Sequence, residues 1–133
     1  PGCLDMVNFG ERATVPEKFA GRVFYQHNPQ VTLMRTTPEE CAELGRILAE
    51  KINAYTSPVT VLLPLKAISV ISAPGGAFHD AAADTALFGA IKRHLKPDVR
   101  LMEMDTTIND ESFARACAEA LLENIRTSAV SKL

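Results

Sequence analysis

The sequence predicts an α/β domain built on parallel strands joined by helical crossovers. Three observations carry this. Short β-rich runs alternate with longer segments of helical periodicity. The most apolar run, VTVLL at 59–63, shows no polar alternation, as expected of a strand covered on both faces. And 133 residues with 47% hydrophobic content suffice for one domain with a real core, but not for two comfortable ones.

The elements follow in order. The opening PGCLD at 1–5 has no initiator Met and reads as a loop, so the chain is expected to be a piece of something longer. RVFY at 22–25 is a weak strand. The first helix opens at Thr37-Pro38-Glu39-Glu40, where Thr37 can cap, Pro38 suits the first helical position and Glu40 completes a capping box. Cys41, Leu44, Ile47, Leu48 and Ile52 then recur at helical spacing to about Ala54.

After VTVLL, the connection from 63 to 81 is about three times the usual median of 4–6 residues. Loops of that length generally serve a ligand or hide a short element, for which AISVIS is the candidate here. A second helix begins near Ala81, with Asp80 or Asp84 as its cap, and buries Leu87, Phe88, Ile91 and Leu95 until Pro97 ends it. VRLMEM at 99–104 alternates in part and should lie nearer an edge. The third helix follows Asn109-Asp110-Glu111, with Phe113, Ala116, Cys117, Ala120, Leu121 and Ile125 as its inner face. Residues 127–133 are expected to fray.

Composition excludes several functions. A formal net charge of −2 with no basic stripe argues against nucleic acid. No apolar run approaches the roughly 18 residues that span a bilayer. Cys3, Cys41 and Cys117 are odd in number and widely spaced, which favours a reducing, cytoplasmic setting over a disulfide scaffold. Cys3, His27 and His79 show no metal-ligand spacing, so no metal is predicted.

In open α/β sheets, ligands sit beyond the carboxyl ends of the strands. If the three strands run parallel, Gln26-His27-Asn28-Pro29-Gln30, the stretch from Pro64 through Ser69 to PGGAFHD, and Asp105-Thr106-Thr107-Ile108-Asn109-Asp110 crowd one edge. That convergence of His, Asn and Asp is the main functional signal. Arg35-Thr36-Thr37 at a helix start could hold an anion, although capping alone explains Thr37. Lys66 follows a buried strand and either faces ligand or is a solvated charge. Gly75-Gly76 either lets backbone N–H groups approach a phosphate or makes a turn; no GxxxxGK[ST] or GxGxxG pattern accompanies it. His79-Asp80 is either an acid–base pair or a ligand-facing His followed by a helix cap.

The motifs PGCLDMVNFG (1–10), FYQHNPQVTLMRTTPEE (24–40), LLPLKAIS (62–69), PGGAFHDAAADTALFGAI (74–91) and MDTTINDESFA (104–114), in this order, resemble the Tm-one-like ATP-binding family over nearly the whole chain. The resemblance implies two Rossmann-like domains in longer proteins, with residues 1–133 as a single α/β domain or as the later half of the second one. Preceding sequence then becomes a partner. It implies an ATP association that no motif ties to these residues, and no catalytic activity. A cleft rim carrying Asp5, Asn8, His27, Asn28, Arg35, Thr36, Lys66, Ser69, Gly75, Gly76, His79 and Asn109 is the expected ligand site. The expected function is a nucleotide- or small-anion-binding module, and homo-oligomers are expected from an exposed sheet edge. The rival is an enzyme in which His79 or His27 and carboxylates do acid–base work on a phosphorylated or carboxylated metabolite. A tautomerase using Pro1 as its base fits less well, because Pro1 heads a loop and not a strand.

Overall fold

A computed structural model describes residues 1–130. Two sheets divide the strands. β1 (Met6–Phe9), β2 (Phe24–Asn28) and β3 (Val31–Arg35) form an antiparallel sheet in the order β1-β3-β2. β4 (Thr60–Pro64) and β5 (Arg100–Met104) form a parallel pair in continuous register, from Thr60 opposite Arg100 to Pro64 opposite Met104. The helices are α1 (Pro38–Asn53), α2 (Ala81–His94) and α3 (Glu111–Val130).

The predicted α/β class holds, but the run at 22–25 does not join the parallel set. It contributes to β2, which pairs antiparallel with β3 across the turn at 28–31, where Asn28 Oδ1 accepts from the Gln30 N–H at 2.9 Å. β1 and β3 were not foreseen. β3 is central in its sheet, which is why Thr32, Met34 and Arg35 on it are buried.

All three helix starts agree with the sequence. Thr37 Oγ1 accepts from the Glu40 N–H while the Glu40 carboxylate accepts from the Thr37 N–H, closing the capping box. Arg22 reinforces it with two hydrogen bonds to that carboxylate, which pull the Glu40 pKa below its ordinary value. Thr37→Ala is expected to cost about 1 kcal/mol, readable in thermal unfolding. Of the two candidate caps of α2, Asp80 is the one used; its Oδ1 accepts from the Ala83 N–H at 2.9 Å.

The core lies between α1, α2 and one face of β4–β5. Cys41, Val61, Leu63, Ile68, Leu87 and Ile91 are its centre. The two helices touch closely at Gly45, where an added Cβ would sit 2.6 Å from the Leu87 carbonyl oxygen. Side chains alternate across a strand, so Thr60, out of phase with Val61 and Leu63, points to the other face. There it hydrogen-bonds Asn124 of α3 at 3.1 Å, which puts α3 on the opposite side of the sheet. Phe113 and Ala120 bury against that side, and Ala116 and Cys117 are half-buried. Leu121 and Ile125, expected on the inner face, are exposed instead. Apolar residues cover about half the circumference of α3, wider than a two-stranded sheet can cover. Of the stretch expected to fray, residues 127–130 continue α3, and the remainder lies outside the described residues.

Candidate functional site

The parallel register places the ends of β4 and β5 side by side. The pairing continues past both strands, with the Leu65 and Lys66 N–H groups donating to Met104 O and Thr106 O, and a last bridge between Ala67 and Thr107. Two further segments fold onto this edge. The N-terminal loop is tied on by the Cys3 N–H, which donates to Ile68 O at 2.9 Å. The segment 69–80 returns over it through a turn built on Ser72, whose Oγ accepts from the Ile68 and Ser69 N–H groups.

Beneath this edge is a buried polar cluster. Ser69 Oγ donates to Asp5 Oδ2 at 2.7 Å, and Asp5 is fully buried. The other oxygen, Oδ1, has no hydrogen-bond partner among the described residues. The Thr36 N–H donates to Asp5 O, and Thr36 Oγ1 donates to Leu4 O and lies 3.1 Å from Cys41 Sγ. Arg35 joins the cluster to α2. Its Nε donates to Phe78 O at 2.9 Å, and Nη2 donates to Asp84 Oδ1 at 2.6 Å. Burial pushes the Asp84 pKa up against the opposing pull of Arg35, and the Asp5 and Asp80 carboxylates add to the upward push. Burial likewise raises the Cys41 thiol, which keeps it protonated and inert.

The predicted site residues therefore fall into three groups. Asp5, Arg35, Thr36 and Ser69 meet in the buried cluster. Lys66, His79, Asn109 and the Gly75-Gly76 turn lie on the surrounding loops, with Lys66, Gly75, His79 and Asn109 exposed. Lys66 Nζ is 3.2 Å from Asp105 Oδ2, and His79 Nδ1 is 3.3 Å from Ser72 O. Asn8, His27 and Asn28 belong to the antiparallel sheet: Asn8 within β1, His27 at the bulge of β2, Asn28 in the hairpin turn. The premise that the segment after 22–25 shares the edge through parallel pairing fails, because β2 is not in that sheet.

The sequence reading leaves out Ser72, takes Asp84 only as a possible helix cap, and gives Asp105 no role beyond its place in the segment 105–110. Asp84 was findable: it stands on the helical stripe of Leu87, Phe88 and Ile91, so a carboxylate there had to be buried and paired.

These residues do not fit a nucleotide's triphosphate at a helix start. The start of α1 is closed by its capping box, and that of α2 by Asp80. At α3, the Asp110 carboxylate accepts from the Thr107 N–H and hydroxyl just ahead of Glu111. Carboxylates stand where phosphate oxygens would need N–H donors. A concavity of about 470 Å³ exists at the opposite, amino end of β4–β5, lined in part by Asn53, Tyr55, Lys96 and Val99. Two of its polar residues tie α1 to the end of α2: Asn53 Nδ2 donates to His94 O, Asn53 Oδ1 accepts from the Lys96 N–H, and Lys96 Nζ donates to Asn53 O. We read that concavity as a structural seam. Among the described residues, no helix is long and apolar enough to cross a membrane.

The fold and its edge define an α/β module in which a parallel β-α-β-α unit has the N-terminal loop and the 69–80 segment folded onto its carboxyl edge, with a three-stranded antiparallel sheet as a separate element. The chain belongs to the uncharacterised protein family UPF0261, whose C-terminal-domain model matches residues 1–125. It is 49% identical over 121 residues to UPF0261 protein RA0729 of Rhizobium meliloti strain 1021, which covers 90% of this chain and 30% of that protein. A UPF0261 protein of Clostridium tetani is 47% identical over 123 residues, again 30% of its length. The tomato ToMV resistance protein Tm-1(GCR237) is 40% identical over 124 residues, 16% of its length. The chain thus spans three-tenths or less of these relatives, and the resemblance read from its motifs is confirmed.

Proposed function

We propose that this chain is a binding module for a small anion, a single phosphate or carboxylate, held at the carboxyl edge of β4–β5. The observation that supports it is the convergence of four segments on that edge, with the exposed Lys66 ammonium among them. Asp105 is 82% exposed and makes a weak, screened partner for Lys66, which an incoming anion would displace. ATP, which the family resemblance brings in, has its triphosphate held by segments of the longer polypeptide in this reading.

Calorimetric titration with inorganic phosphate and with ATP tests the proposal. Lys66→Ala is expected to abolish phosphate binding, and Asp105→Asn to strengthen it a few-fold by releasing Lys66. Phosphate affinity indifferent to both changes removes the proposal. ATP affinity indifferent to both would keep the nucleotide site apart from this edge.

A second reading, acid–base catalysis, rests on His79. Its Nδ1 faces a carbonyl oxygen and therefore carries the proton, which leaves Nε2 free as a base on an exposed side chain. Turnover lost in His79→Gln, with phosphate affinity retained, would favour it.

A further inference from the structure

Asp5 is a fully buried carboxylate with no cation of its own. Ser69 Oγ donates to its Oδ2 at 2.7 Å, while Oδ1 has no hydrogen-bond partner among the described residues. Arg35 is the buried cation of the cluster, but its N–H groups are spent on Phe78 O, Asp80 O, Thr36 Oγ1 and Asp84 Oδ1. One guanidinium thus stands among two buried carboxylates. They feel each other: burial raises the Asp84 pKa, and the Asp5 charge raises it further. The other elements around the cluster bring no countercharge. Cys41 of α1 presents a protonated thiol, Lys66 is half exposed and pairs with Asp105, and the His79 side chain is exposed.

A proton on Asp5 does not resolve this. Ser69 Oγ accepts from the Ser72 N–H at 3.1 Å, so its one proton goes to Asp5 Oδ2, which acts as an acceptor. An added proton would sit on Oδ1, where no acceptor receives it. A water would give Oδ1 a hydrogen bond but leave the charge uncompensated in a site of low dielectric. A monovalent cation meets both needs. The oxygens adjoining Asp5 in the network, Leu4 O, Thr36 Oγ1 and Ser69 Oγ, are neutral and hard. Calcium asks for more carboxylate oxygens, and magnesium for a near-octahedral set. Asp84 is already held by Arg35, and among the described residues no group of three His, Cys, Asp or Glu side chains is placed to hold a metal ion.

We propose that Asp5 Oδ1 anchors a monovalent alkali-metal cation, sodium or potassium, buried beneath the carboxyl edge of β4–β5. The ion fastens the N-terminal loop to the segment 69–80, because Ser69 holds the other oxygen of the same carboxylate. Its role is structural. It does not rest on the anion reading, since Lys66 takes no part in it.

Thermal unfolding of the protein as its gene encodes it tests this, in chloride salts of potassium, sodium and tetramethylammonium at equal ionic strength, which holds general screening constant. Potassium or sodium is expected to raise the midpoint saturably, by roughly 3–6 °C over tetramethylammonium, and Asp5→Asn to lose that rise. The ion that gives the larger rise is the one held. Crystals grown in rubidium chloride supply a readout that needs no variant, with anomalous density expected at coordination distance from Asp5 Oδ1. A midpoint indifferent to the cation overturns the proposal, as does a rise that Asp5→Asn retains in full. Should Asp5→Asn fail to fold, rubidium density absent from Asp5 Oδ1 overturns it.

Discussion

Arg35→Met is expected to destabilise the protein by about 3–5 kcal/mol, measured by urea unfolding, a large part of the stability of a typical domain. Arg35 is 5% exposed and sits at the end of β3, yet its bonds reach the segment 78–80 and α2. Truncation leaves the Asp84 carboxylate buried without its countercharge and Phe78 O without its donor. Replacing both partners, Arg35→Met with Asp84→Leu, is expected to recover most of the loss, because the penalty comes from the unpaired charge. pH gives a second check. Burial raises the Asp84 pKa in the folded state, so the folded protein holds that proton to higher pH than the unfolded chain does. Stability linked to Asp84 is therefore fully present below its unfolded pKa and declines as pH rises through the raised folded value. Removing Arg35 removes the opposing pull and enlarges that decline. The gap between wild type and Arg35→Met should thus be widest near neutral pH and narrow in acid, where Asp84 is protonated in both. A gap that stays constant with pH would mean that Arg35 acts through its carbonyl bonds and not through Asp84.

This cluster marks the limit of what the sequence alone conveys. Helix starts are local: Thr37, Pro38 and Glu40 declare α1 within four residues, and Asp80 does the same for α2. A covered parallel strand is also nearly local, and VTVLL is β4 almost to the residue. The antiparallel sheet is not. β1 is four residues long with two of them exposed, and its pairing partner lies more than twenty residues away. The hairpin turn carries Pro29, not the Asn-Gly or Asp-Gly that announces a two-residue turn. Missing β3 had a direct consequence for function. Arg35 and Thr36 looked like anion ligands at a helix start, whereas a strand ending there delivers both side chains inward, Arg35 to Asp84 and Thr36 to Leu4 O and Cys41. The edge residues were legible because order along the chain predicts which loops follow which strands. Which of their polar groups are already engaged by protein partners depends on tertiary contacts and was not.

Gly76→Ala is expected to cost about 3 kcal/mol, and Gly75→Ala only about 1 kcal/mol, although the two glycines are adjacent. They are required for different reasons. Gly75 has φ +83°, a left-handed conformation that costs an L-residue energy, but nothing lies within 4 Å of where its Cβ would be. Gly76 has no unusual φ. A Cβ there would sit 2.3 Å from Ile71 O and 2.9 Å from Ala73 O, a backbone clash that no rotamer relieves. Ile71 O accepts from the Phe78 N–H at 2.8 Å, so moving it loosens Phe78, which is 1% exposed and whose own carbonyl holds Arg35. The strain at Gly76 therefore travels into the same buried cluster, and Gly76→Ala combined with Arg35→Met should cost less than the sum of the two. Gly75→Asn should be milder than Gly75→Ala, since Asn tolerates the left-handed region, whereas Gly76→Asn should be no better than Gly76→Ala. Urea midpoints for the five variants give the ranking. Equal costs at the two positions would mean that backbone preference, and not contact with Ile71, shapes the 69–80 segment over the carboxyl edge.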